Sequence, residues 1–193
     1  MPLANQPDLG LIRAGRMHEA SGPGRRAFAA ALAGRLAGPV LWVQEGRSRD
    51  RLCPQGLTPF LDPGRLVLAR PGGALAVLQV AEEALRSGAV ALVVAELAEA
   101  PDLTASRRLQ LAAGAGRGRG LCLLPDSRAR INAAETRWLC TPVPGREGRQ
   151  TWELVKNKRG QLGVWEVGWD TAARPGPPAG KPREGPRPVP ACA

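Results

Sequence analysis

Short, almost wholly apolar runs set between segments of helical period limit what this chain can fold into more than any other feature. Val40 to Val43, Ala89 to Val94 and Leu121 to Leu124 carry apolar side chains at consecutive positions. A strand reads this way when both of its faces are covered, as in a parallel sheet held between layers of helix. The intervening segments supply the helices. Phe28, Leu32 and Leu36 recur at four-residue spacing ahead of Gly38-Pro39, and Leu78, Ala81 and Leu85 mark a second helical face that Gly88 closes. Thr104 reads as the cap of a third helix running to about Ala113, and Arg65 to Ala69 as a further strand after the irregular stretch Gln44 to Gly64.

The pattern changes after Pro125. Arg128 to Glu135 fits a short helix or a loop, and Trp138 to Val143 fits a strand. Thr151 to Val155 and Gly163 to Trp169 then read as an antiparallel pair, with Trp152, Leu154, Trp165 and Val167 alternating with polar positions. The tip between them carries Lys156, Lys158 and Arg159. The expected organisation is an extended lead-in over 1–16, an α/β core over 17–170 and a tail over 171–193. That tail is too rich in proline to pack and is expected to be disordered.

With 44% apolar residues among 193, the chain can bury one sizeable core. No run is long and apolar enough to span a bilayer, and the N-terminus lacks the apolar stretch of a signal peptide, so a soluble cytoplasmic protein is expected. A net charge of +10 favours a nucleic-acid or acidic partner. The excess is mostly arginine, and the abundant Ala, Gly and Pro point to a GC-rich genome that enriches arginine in any protein. Cys53, Cys122, Cys140 and Cys192 form no C-x-x-C pair and have one histidine, His18, for company. Neither a disulfide nor a metal site is expected, nor any cofactor; His18 reads as a packing or capping residue.

The stretch Glu19 to Leu36 occupies the place of a phosphate loop. A working loop reads G-x-x-x-x-G-K-[ST], its glycines admitting phosphate to backbone N–H groups, its lysine reaching the terminal phosphates and its hydroxyl holding magnesium. Here Gly24 can stand for the second glycine, but Glu19 takes the first position, Arg25 the lysine's and Arg26 the hydroxyl's. A guanidinium cannot ligate a metal cation. The competing reading of the same letters is an ordinary Gly/Pro turn ahead of a helix.

The order of motifs resembles the RecA-type recombinase core, over about Arg16 to Trp169. Leu41-Trp42-Val43-Gln44-Glu45 is similar to that family's second strand with its catalytic glutamate at Glu45. Arg86-Ser87-Gly88-Ala89-Val90 with Leu92 to Glu96 is similar to its RSGAV segment and Walker B strand, with Glu96 at the magnesium-associated carboxylate. Val155-Lys156-Asn157-Lys158 resembles its V-K-N-K. The resemblance implies a RecA-like, mainly parallel sheet with helices on both faces and a C-terminal antiparallel hairpin extension. No room remains between Glu96 and Thr104 for the recombinase's first DNA-binding loop, and the second is cut to about a dozen residues between Pro125 and Trp138.

Among degenerate RecA relatives the chain resembles the ImuA family, in GRMHEASGPGRR, LDPGRLVLARP, EEALRSGAVALVVAEL and ELVKNKRG. That resemblance implies a non-catalytic, damage-induced accessory of translesion synthesis. It would work with an ImuB-like Y-family polymerase homologue and an error-prone replicative-type DNA polymerase, with RecA as a further candidate partner and DNA contact open. The alternative from another class is a SulA-like inhibitor that binds the division GTPase; an active ATPase with a variant loop ranks last. The degenerate nucleotide-site positions are then Glu19, Gly24, Arg25, Arg26, Glu45 and Glu96. Lys156, Lys158 and Arg159 are the candidates for binding a partner or nucleic acid, against the plainer reading of a solubilising tip. Trp152, Trp165 and Trp169 could stack bases, but side chains of that size more often close a core, and that is expected for at least two of them.

Overall fold

The computed structural model describes residues 7–125 and 132–169, so the expectations for the tail and for the first half of Arg128 to Glu135 lie outside the described residues, while residues 132–135 form no helix. Eleven regular elements follow one another: β1 (Arg16–Ser21), α1 (Arg25–Gly34), β2 (Val40–Gln44), β3 (Leu66–Ala69), α2 (Ala74–Ser87), β4 (Leu92–Glu96), α3 (Leu103–Gly116), β5 (Arg119–Leu124), β6 (Thr136–Pro142), β7 (Arg149–Asn157) and β8 (Gly163–Gly168). The strands form one eight-stranded sheet in the order β3-β2-β4-β5-β1-β6-β7-β8. Pairing is parallel from β3 through to β6 and antiparallel for β6-β7 and β7-β8. This is the mixed α/β architecture, mainly parallel with an antiparallel extension, that the apolar runs predict.

Period-two alternation within those runs sends neighbouring side chains to opposite layers. Val40, Trp42, Val94, Leu121 and Leu123 pack under α1 with Phe28 and Leu32. Leu41, Val43, Val93, Ala95 and Cys122 pack against Val77, Ala81 and Leu85 of α2 and Leu109 and Ala113 of α3. The α1 layer extends over the antiparallel strands, where the Phe28 ring lies 5.2 Å from that of Trp138 and 4.9 Å from that of Trp152. Trp152 is buried, and the half-buried Trp165 and Trp169 pack against the same cluster, which makes all three part of the core or its margin. Among the described residues no helix is long and apolar enough to cross a membrane.

Several boundaries differ from the sequence reading. The cap of α3 is Asp102, not Thr104: its carboxylate accepts the Ala105 N–H at 2.7 Å, which starts the helix earlier, and the helix continues to Gly116. Helix α1 stops at Gly34, ahead of Gly38, although Leu36 is still buried beyond it. Gly88 closes α2 as expected, with φ of 65° in the left-handed region that glycine adopts freely. The lead-in holds a short 3-10 turn at Leu9–Leu11 and places Ile12 in the core.

The largest difference is β1, which the sequence reading does not contain. Its polar letters hide a buried strand, because each of its buried polar side chains has a partner on β6. The His18 ring faces Thr136 Oγ1 at 2.7 Å, Glu19 accepts from Arg137 Nε at 2.8 Å, and Ser21 Oγ donates to the Trp138 carbonyl at 3.1 Å. Buried polar groups are tolerated when paired in this way.

His18 yields a pH test. Burial pushes its pKa down from 6.5 to about 4; the hydrogen bond to the Arg13 carbonyl works against this, and the charges of Arg119, Arg13 and Arg16 reinforce it. Between those values the unfolded chain takes up a proton that the folded chain refuses, so stability is full above 6.5 and declines as pH falls toward 4. The expected loss is about 2 kcal/mol on going from neutral pH to about pH 5. Urea unfolding at the two pH values measures it, and His18→Gln should remove this part of the dependence.

Candidate functional site

The C-terminal ends of β1, β2 and β4, where a parallel sheet presents its ligand crevice, bring together most of the positions singled out above. Between β1 and α1 lie only Gly22, Pro23 and Gly24. That is too few for the motif read over Glu19 to Arg26, because Glu19, Ala20 and Ser21 are strand. Glu19 is therefore not a loop residue at all: it is 2% exposed and tied to Arg137 and to the Asn132 amide within the core.

The turn itself is turned inward. The Gly24 N–H donates to the Cys140 carbonyl at 2.9 Å and the Arg25 N–H to the Gly22 carbonyl at 3.2 Å, so both are engaged within the protein. Gln150, a buried residue of β7, lies over Gly24 so closely that a Cβ there would press on its side-chain amide. A side chain at position 24 would have to displace this amide, which occupies the space beside the turn that a phosphate would need. Arg25 folds back, donating from its guanidinium to the Gly22 carbonyl at 3.1 Å.

Arg26 reaches Glu96, the position that the RecA resemblance assigns to a magnesium-associated carboxylate. It extends from the first turn of α1 to the end of β4, where Nε donates to Glu96 Oε1 at 2.6 Å and a terminal nitrogen donates to Oε2 at 2.8 Å. Its remaining nitrogen pairs with the Asp50 carboxylate at 2.9 Å. The Gln44 amide, at the end of β2 and in register with Glu96, donates to Glu96 Oε2 at 2.7 Å. Both oxygens of Glu96 thus accept from the guanidinium and one also from Gln44. The Glu96 hydrogen bonds hold the Arg26 pKa above its ordinary value, opposed by burial and helped by Asp50. A cation at a helix N-terminus opposes the helix dipole by about 0.3–1 kcal/mol, and a bidentate pair outweighs that.

Glu45 stands outside this cluster: its side chain makes no hydrogen bond or ion pair among the described residues. The residues that complete the cluster, Gln44, Asp50 and Gln150, were missed from sequence. The signal for Gln44 was available in principle, since it ends one parallel strand as Glu96 ends its neighbour. Asp50 and Gln150 arrive from a loop and from the antiparallel strands, and no spacing rule points to them. The residues present do not fit a Mg²⁺-nucleotide: its carboxylate ligand already holds a guanidinium. Among the described residues no three His, Cys, Asp or Glu side chains converge as a metal site.

The cations of the hairpin tip bend back toward the segment that enters β6. Lys156 Nζ donates to the Asn132 carbonyl at 3.2 Å, Lys158 Nζ to the Ala133 carbonyl at 2.8 Å, and Arg159 Nε lies 3.2 Å from Glu135. Partial burial, with Arg137 and Lys158 close by, lowers the Lys156 pKa. Carbonyl partners hold these ammonium groups in place without neutralising them.

No family model matches the chain. Two curated proteins, both named Protein ImuA, from two strains of Caulobacter vibrioides, are 34% identical to it, with the match covering 69% of this chain. The chain spans about 62% of the length of those relatives.

Proposed function

The chain belongs to the ImuA family, and from that premise we propose that it is a non-catalytic, RecA-like accessory of SOS-induced DNA repair and translesion synthesis. In this reading it acts by holding proteins together. Its partners are an ImuB-like Y-family polymerase homologue and an error-prone replicative-type DNA polymerase, with RecA as a further candidate, in the cytoplasm. The observation that carries the non-catalytic half is the bidentate Arg26–Glu96 pair, braced by Gln44 and Asp50. A catalytic phosphate site depends on donors and a metal aimed at developing charge. Here the Gly24 and Arg25 N–H groups are engaged within the protein, and in this reading a fixed cation stands where the metal would go.

One preparation tests both halves. Tagged protein recovered from DNA-damaged cells is expected to bring down the polymerase homologue, and the purified chain to release no phosphate from Mg²⁺-ATP above a protein-free blank. Saturable hydrolysis abolished by Glu45→Gln would overturn the non-catalytic half, and recovery of a division GTPase in place of a polymerase would overturn the other.

A further inference from the structure

At the pole of the sheet opposite Arg26, beside the N-terminal ends of β1 and β6, a cleft of about 380 Å³ opens between the lead-in and the β7–β8 tip. Gly10, Arg13, Glu135, Asn157, Arg159 and Gln161 line it. Glu135 is 7% exposed and forms its centre, with Arg159 at 3.2 Å and Arg13 and Arg16 each at 4.0 Å. The buried Glu135 Oε1 has no hydrogen-bond partner, and among the described residues none of these three guanidiniums donates a side-chain hydrogen bond. Arg26, by contrast, has an acceptor close to each of its three nitrogens. One carboxylate gathers three cations, one at 3.2 Å and two only at 4.0 Å, which leaves most of their N–H donors free for another acceptor, and Lys158 adds a further charge nearby.

We propose that this cleft binds the phosphodiester backbone of single-stranded nucleic acid, with Arg13 and Arg159 taking the phosphates. Guanidinium N–H groups match phosphate oxygens in pairs. The local excess of positive charge, on a chain of net charge +10, draws a polyanion from a distance. A cleft of this size admits one strand's sugar-phosphate unit but not a duplex. No aromatic side chain lines it, so bases are not stacked there and the binding is independent of sequence. Among the described residues Leu11, half-buried, is the one large apolar side chain that lines the cleft, and none of the exposed hydrophobic side chains does, so an acidic protein would find no exposed apolar patch there. The proposal draws on this cleft alone and stands apart from the accessory role.

The test is fluorescence anisotropy of the full chain with a labelled mixed-sequence DNA 20-mer, single-stranded or duplex, across a salt series. Single strands should bind more tightly than duplex. The double variant Arg13→Ala with Arg159→Ala should weaken that binding about tenfold or more and reduce the slope of log K against log salt by about 1.4, which is 0.7 for each lost phosphate contact. Arg86→Ala with Arg108→Ala removes the same charge from the α2–α3 face, where both arginines pair with Glu82, and should leave the slope unchanged. Far-UV circular dichroism establishes that each variant folds. Equal effects of the two double variants would overturn the site. So would tighter binding to duplex, or binding of polyglutamate but not of DNA that is lost with Arg13 and Arg159.

Discussion

Glu19→Gly, the change that would restore the first glycine of a phosphate loop, is expected to destabilise the protein strongly and to confer no nucleotide binding, even when joined to Arg25→Lys and Arg26→Ser. Glu19 lies within β1, paired with Arg137 on β6 and tied to the Asn132 amide, in a core position almost closed to solvent. Breaking a buried ion pair by removing one partner costs about 3–5 kcal/mol. Glycine inside a strand adds about 0.5–1 kcal/mol. Native domains hold only about 5–15 kcal/mol in all. At about 2–4 °C per kcal/mol for a chain of this size, the melting temperature should fall by roughly 10 °C or more. Glu19→Gln, which keeps the shape and a hydrogen bond to Asn132, should fall by less. Thermal unfolding followed by circular dichroism gives the ranking. A Glu19→Gly protein that melts like the parent would mean that the register of β1 against β6 is wrong.

That expectation shows where the sequence could be read and where it could not. Covered strands announce themselves through consecutive apolar letters, which is why β2, β4 and β5 and the helices between them are visible from composition and period alone. Strand β1 runs R-M-H-E-A-S, and its burial depends on polar partners that β6 supplies more than a hundred residues later. No local rule can see that pairing, and the phosphate-loop template was accordingly laid three residues into a strand. The helix ends fail for a milder reason: Asp102 and Thr104 are both good caps, and geometry alone chooses. At the candidate site the motif order names Arg26 and Glu96 only as separate losses, whereas the structure pairs them with each other. Their mutual bond became visible only when helix and strand were placed. The hairpin cations were legible as charge, whereas the Glu135 carboxylate that gathers Arg13, Arg16 and Arg159 sits in a stretch that sequence left as helix or loop.

Arg26→Ala should cost about 3 kcal/mol, and so lower the melting temperature by roughly 6–12 °C, while leaving Mg²⁺-ATP unbound. The stability loss follows from geometry: Glu96, with a side chain only 11% exposed, loses a bidentate partner and keeps Gln44 alone, and Asp50 loses its pair. Because Arg26 is itself 23% exposed, the cost belongs at the lower end for a buried pair. Lysine is a poor substitute, since one ammonium cannot bridge both oxygens of Glu96 and also reach Asp50. Arg26→Lys should therefore recover less than half of the loss, and a double-mutant cycle with Glu96→Gln should return a large coupling. The absence of nucleotide binding follows from a different part of the site. With the guanidinium removed, the Gly24 N–H still donates to the Cys140 carbonyl and Gln150 still covers the turn. Calorimetry with Mg²⁺-ATP on the folded variant separates the two effects. Micromolar binding gained by Arg26→Ala would mean that one guanidinium alone had kept a working cradle shut, and that the inward-turned loop between β1 and α1 opens once that cation is gone.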